Sequence, residues 1–158
     1  MLYKKYRLYN EGIEVMIPSS LKRSTSRFAV QNSFVSDNGR IVVNIARGVS
    51  DLTQECLITR MDEYYRKFAK DVPSFDCLKI HKRQFLDDLF GEFRYRSDMM
   101  GYQFYNVFIL GIYGGRELVV TMQCVQDEAQ ENERVFDNIA DSIRILKKGR
   151  DMEDYTCL

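Results

Sequence analysis

The chain has 158 residues, with 23 Lys plus Arg balanced by 23 Asp plus Glu, and is 45% apolar and 29% charged. That length can bury about 70% of the surface an unfolded chain exposes, enough for one domain without disulfides or metal, and the mixture excludes wholly disordered or wholly membrane-embedded chains. Zero formal net charge leaves no long-range field toward nucleic acid or anionic lipid, so neither nucleic-acid binding nor membrane insertion is expected.

Residues 1–9, Met-Leu-Tyr-Lys-Lys-Tyr-Arg-Leu-Tyr, interleave charge with apolar side chains and lack the apolar run of a secretory signal. A cytoplasmic location is therefore expected. In Gly12-Ile-Glu-Val-Met-Ile-Pro18, Ile13, Val15 and Ile17 alternate with Glu14 and Met16, a strand that Pro18 ends by withholding a ladder donor. The polar, basic run 18–27 reads as a loop. The β-rich runs 28–35 and 40–47 flank Ser36-Asp37-Asn38-Gly39, whose Asn-Gly supplies the positive φ angles of a tight hairpin.

Ser50 and Asp51 offer N-cap oxygens, with Gln54 three residues beyond Asp51, and predict a helix over 52–70. Its inward face carries Leu57, Met61, Tyr64, Tyr65 and Phe68, and Asp71-Val-Pro-Ser ends it. Four strands are predicted next, over 76–85, 90–97, 102–113 and 116–125. They are separated by Asp87-Asp88, Asp98-Met-Met-Gly101 and Gly114-Gly115. The Gly-Gly turn sets Tyr113 opposite Arg116, hence Ile109 beside Val120 and Val107 beside Met122 on one face, and Phe108 beside Thr121 and Leu110 beside Val119 on the other. A sheet apolar on both faces must be covered on both, by helices, a partner or a ligand. A closing helix is predicted over 127–146, with Val135, Phe136, Ile139, Ala140 and Ile143 inward. The fold class is α+β: a mainly antiparallel sheet of six to seven strands with two principal helices, forming a single domain over 1–148 followed by a flexible tail over 149–158.

No catalytic kit is recognisable, so the chain is not expected to be an enzyme. The single histidine, His81, sits on a predicted strand and reads as an exposed strand residue. Phosphate-cradling glycine loops, nucleophile elbows and zinc-binding helices all lack their spacing. Neighbouring carboxylates such as Asp87-Asp88 and Asp62-Glu63 diverge and mark a turn and a wet helix face. Cys56, Cys77, Cys124 and Cys157 form no Cys-x-x-Cys pair and read as packed thiols. No cofactor and no metal is expected. In Phe93-Arg-Tyr-Arg96, alternation separates Phe93 and Tyr95 from Arg94 and Arg96, which argues for core aromatics and solvated arginines rather than a base-stacking surface.

The opening Tyr6-Arg-Leu-Tyr-Asn-Glu-Gly-Ile-Glu-Val-Met-Ile-Pro18, Ser24-Thr-Ser, Val-Ser-Asp-Leu before the first helix and Pro73-Ser-Phe75 after it resemble the PsbP/Mog-like superfamily. Within it, the chain looks closest to the small bacterial DcrB- and Eag-like proteins. The family's usual tryptophan after the proline loop is absent, with Leu21 or Lys22 in that region. The resemblance implies an α/β/α sandwich and a binding role without catalysis. Members serve as a photosystem accessory subunit, a Ran GTPase partner, an envelope protein or a chaperone that shields apolar segments of secreted effectors.

Combined with the two-sided apolar sheet, the resemblance leads to a protein-binding or chaperone-like adaptor. Its sheet face, including Tyr105, Val107, Val120 and Met122, would receive an apolar segment or a second copy. The alternative is a small-ligand or enzymatic pocket between sheet and first helix, with Tyr64, Tyr65 and Arg94 as polar contacts. A third arrangement, an electrostatic site, needs Lys22, Arg23 and Arg27 to meet Lys4, Lys5 or Arg7.

Overall fold

The computed structural model describes residues 1–24, 31–85 and 88–146. Its strands are β1 (Tyr3–Leu8), β2 (Ile13–Pro18), β3 (Leu21–Ser24), β4 (Gln31–Ser36), β5 (Val42–Arg47), β6 (Asp76–Phe85), β7 (Asp88–Met99), β8 (Tyr102–Tyr113), β9 (Arg116–Val125) and β10 (Arg144–Ile145). The helices are α1 (Leu57–Asp71) and α2 (Ala129–Ser142). Seven strands form one sheet in the order β3-β4-β5-β9-β8-β7-β6, and β1, β2 and β10 form a second. Every pairing is antiparallel. This is the α+β class that the sequence predicts.

The β8–β9 hairpin has the predicted register, with Tyr113 opposite Arg116, Ile109 opposite Val120, Val107 opposite Met122, Phe108 opposite Thr121 and Leu110 opposite Val119. Two apolar layers follow from it. Val107, Ile109, Val120 and Met122 join α2 and the short sheet in the larger core cluster. Phe108 and Leu110 join Phe93, Ile112 and Leu57, and α1 closes over them with Met61, Tyr64, Tyr65 and Phe68. Burial of the inward side chains at about 25 cal/mol per Å² holds both layers on the sheet.

The β4–β5 hairpin is also as predicted, but its turn needs only one left-handed residue. Gly39 has φ of 71° and donates its N–H to the Ser36 carbonyl at 2.9 Å. Asn38 instead contributes its side chain, whose Oδ1 accepts the Arg40 N–H at 3.0 Å. This is the pattern of a type I turn with a glycine bulge.

Three local expectations change. Run 18–27 is not a loop up to Ser24. Leu21, 2% exposed, anchors β3 against β4, while Lys22, Arg23 and Ser24 present their side chains to water. Residues 25–27 lie outside the described residues. β1 is a strand despite its charges, because Tyr6 and Leu8 turn inward while Lys4 and Lys5 stay wet.

The capping box at Ser50 and Asp51 does not form. The backbone of 48–52 is bonded to the start of β9, with Gly48 N–H on the Glu117 carbonyl and Leu52 N–H on the Gly115 carbonyl, both at 2.9 Å. Helical winding therefore begins later, with a 3-10 turn at Gln54–Cys56 whose N-cap residue, Thr53, makes no side-chain cap bond. The closing helix stops at Ser142 rather than running to residue 146. Ser142 Oγ accepts the Met16 N–H at 2.9 Å and ties the helix end to β2, after which Arg144 and Ile145 pair with Glu14 and Ile13. The predicted turn at Asp87-Asp88 falls partly outside the described residues, and the tail over 149–158 lies wholly outside them.

Close packing makes two glycines unequal. A Cβ on Gly111 would lie 2.1 Å from the ring of Phe90, which is fully buried, whereas one on Gly91 would meet the flexible end of Met61 at 2.8 Å. Gly111→Ala is expected to cost about 1–3 kcal/mol of stability or more, and Gly91→Ala under about 1 kcal/mol, because a thioether swings aside and a packed ring does not. Urea unfolding of both variants checks the order.

Candidate functional site

The predicted binding face is corrected. Tyr105, Val107, Val120 and Met122 are 5%, 1%, 1% and 1% exposed. α2 and β2 lie over them, and the Tyr105 ring stacks on Phe136 at 6.2 Å between centroids. The sheet face is apolar because it is core, and the monomer covers it unaided.

The pocket reading is corrected as well. Tyr64 and Tyr65 are on the α1 side of the sheet, whereas Arg94 is on the α2 side, because alternation along β7 sends Phe93 and Tyr95 to α1 and Glu92 and Arg94 to α2. The three do not converge. Arg94 is also not solvated: it is 1% exposed, donates to the Tyr105 hydroxyl at 2.9 Å and pairs with Asp137.

Arg94 belongs to a buried ionic cluster centred on Glu92, which is fully buried. Arg83 Nε donates to Glu92 Oε1 at 2.8 Å, His81 Nε2 lies 2.6 Å from Oε2, and Arg94 Nε lies 3.5 Å from Oε2. Arg83 reaches on to Asp141, so the cluster binds β6 and β7 to α2. His81 is half-buried rather than the exposed residue expected. Burial pushes its pKa below the usual value; Glu92 pulls the other way, but Arg83, Lys79 and Arg94 add to the depression. Two guanidinium groups and one imidazole thus meet on a single carboxylate where β6, β7 and α2 come together.

A second cluster is on the α1 side. Glu117, fully buried, accepts from Arg60 Nε at 2.8 Å, the Tyr64 hydroxyl at 2.9 Å and the Val49 N–H at 3.2 Å. Burial alone would raise its pKa, but these donors outweigh it and hold the carboxyl below its usual value. The stability contributed by Glu117 is thus complete above the ordinary glutamate range and is lost as pH falls through the lower folded-state value. Acid unfolding followed by circular dichroism should show stability falling below about pH 4.5. Glu117→Gln should flatten that slope while lowering stability at neutral pH.

The electrostatic site forms only in part. Lys4 Nζ and the Arg23 guanidinium both lie over the Tyr6 ring, at 5.2 and 5.9 Å from its centroid. Lys5 and Arg7, however, are paired with Glu14, and Lys22 with Asp37. Arg27 lies outside the described residues. Among the described residues no group of three or more His, Cys, Asp or Glu side chains is placed to hold a metal ion. Cys124 is buried, with its thiol pushed up to about 11 by that burial, and Cys56 and Cys77 are half-buried.

What sequence reasoning missed is one margin of the large sheet. Leu78 and Ile80 on β6 are 40% and 62% exposed, and Met99, Met100 and Tyr102 at the β7–β8 turn are 50%, 90% and 64% exposed. Beside Tyr102, an open groove of about 380 Å³ runs past Phe104 and Val125, with Arg40, Asp127 and Glu128 on its rim. The signal was present in Met99-Met100, two consecutive large apolar residues in a turn that needs only polar ones.

No protein-family model and no curated protein matches the chain. Solved structures do. The solution structure of cyanobacterial PsbP (CyanoP) from Synechocystis aligns with a TM-score of 0.68 at 13% identity, covering 90% of this chain and 92% of that one. LpqN of Mycobacterium tuberculosis, described as involved in cell envelope biogenesis, aligns at 0.61 with 10% identity over 90% of each chain. A Pseudomonas aeruginosa protein of unknown function aligns at 0.57 with 12% identity, covering 87% of this chain and 92% of that one. Among the described residues no helix is long and apolar enough to cross a membrane. At such identities the likeness concerns architecture alone, and it establishes that the chain has a PsbP-like fold.

Proposed function

We propose that this chain is a cytoplasmic, non-catalytic protein-binding module of the DcrB- or Eag-like kind, an adaptor rather than an enzyme. The observation that carries the reading is the exposure of Leu78, Ile80, Met99, Met100 and Tyr102 along the β6–β8 margin. Met99, Met100 and Tyr102 sit together at the β7–β8 turn, and large apolar side chains clustered on a surface commonly mark a partner site. The buried ionisable clusters around Glu92 and Glu117 are engaged in pairs between elements, so the groups most able to do chemistry are already committed to the fold. The binding surface is thus moved from the sheet face to its margin.

The test is affinity capture of the tagged chain from its own cells beside a Met100→Asp/Tyr102→Asp variant, with light scattering to fix the mass of each. A stoichiometric protein partner held by the native chain and lost by the folded variant supports the reading. A lone monomer with no partner, stabilised instead by a small molecule in a thermal-shift screen, would overturn it in favour of ligand binding.

A further inference from the structure

The seven-stranded sheet ends on β6, and among the described residues no strand and no other backbone group pairs with its outer edge. The strand is ten residues long, Asp-Cys-Leu-Lys-Ile-His-Lys-Arg-Gln-Phe, with no proline and a register shift only between Cys77 and Lys79. An edge of that length offers a row of free N–H and C=O groups, which proteins normally cover, break or charge.

Two further properties mark this edge. Ile80 is on the α1 side opposite Phe93, yet is 62% exposed, because α1 packs on β7 and β8 and stops short of the margin. Lys79 and Lys82 are exposed, and neither has an ion-pair partner among the described residues. They extend to opposite faces, Lys79 opposite Arg94 and Lys82 opposite Gly91. Arg83 is turned in toward Glu92 and adds positive charge behind them.

The same charges argue against a second copy as occupant. In a two-fold antiparallel pairing centred between Ile80 and His81, Lys79 would face Lys82 of the second copy. Centred on His81, it would face Arg83, and centred on Lys79, it would face itself. Like charges directly opposite one another on adjacent strands are destabilising. Resting on the protein-binding reading above, we infer that β6 accepts an eighth strand from another protein: an extended segment with acidic side chains beside an aliphatic one. Backbone pairing supplies the attachment, an aliphatic residue covers Ile80, and carboxylates meet Lys79 or Lys82, in the manner of strand addition at a sheet edge.

The probe is a fluorescein-labelled ten-residue peptide alternating Glu and Val, with an alternating Lys and Val peptide as control, titrated into the full chain. Saturable anisotropy with the Glu peptide, none with the Lys peptide, and slowed hydrogen exchange across 78–83 are expected. Lys79→Glu/Lys82→Glu, both on exposed side chains, should leave the melting temperature near native and weaken binding roughly tenfold, as should raising salt from about 0.05 to 0.3 M. Equal affinity for the charge-reversed chain, protection at 99–102 instead, or dimerisation of the free chain with 78–83 protected would each overturn the inference. The two proposals separate cleanly. A cellular partner lost by Met100→Asp/Tyr102→Asp but kept by the charge-reversed chain leaves the protein-binding reading standing and removes strand addition at β6.

Discussion

Glu92→Ala is expected to lower stability by about 3–5 kcal/mol, since it strips the buried guanidinium groups of Arg83 and Arg94 of their shared carboxylate. For a chain of this size that corresponds to a fall in melting temperature of roughly 6–20 °C. Arg94, left with Asp137 as its remaining close carboxylate, is the more damaging of the two cations, because it is 1% exposed and cannot turn to water. The double variant Glu92→Leu/Arg94→Leu should be less destabilised than the sum of its single changes, as it removes both charges and leaves an apolar pair beside Tyr105. Urea unfolding of Glu92→Ala, the double variant and its two single changes measures this. A Glu92→Ala cost below about 1 kcal/mol would show that water reaches the cluster and that it does not clamp β6 and β7 to α2.

The second large effect is expected at Phe108, where α1 is held. Its ring lies 4.8 Å from Phe93, 5.0 Å from Tyr64 and 5.2 Å from Phe68, between centroids. Phe108→Ala should cost about 3–5 kcal/mol, as the cavity opens in a layer of rings that cannot collapse into it. The damage should be one-sided. α1 shares its cluster with Phe108, whereas α2 packs on the opposite face with Val107 and Ile109, so hydrogen exchange should accelerate through α1 before α2. Equal acceleration in both helices would mean that the two layers unfold as one.

The residues that fooled the sequence reading share a cause. Tyr105, Val107, Val120 and Met122 are an apolar stripe whether α2 covers it or a partner does, and strand alternation is identical in both cases. Arg94 alternates with Phe93 and Tyr95 as a solvated arginine would, and only the placement of Asp137 on α2 and Tyr105 on β8 makes its burial tolerable. Ser142 and Ile143 fit a continuing helix by period. They leave it because β2 offers the Met16 N–H and an open pairing edge from a position about 126 residues earlier in the chain.

By itself the sequence determined the local and near-local structure: the α+β class, the β4–β5 hairpin at Gly39, the register of β8 on β9 outward from Gly114-Gly115, and the inward faces of α1 and α2. These depend on turn conformation and on periods of 2 and 3.6, both carried by neighbouring residues. Tertiary structure alone decided which apolar faces are closed, which charges are buried around Glu92 and Glu117, and that β6 is left, among the described residues, as an open edge. Those outcomes depend on which distant segments meet, and burial, ion pairing and edge exposure are properties of that meeting rather than of any stretch of chain.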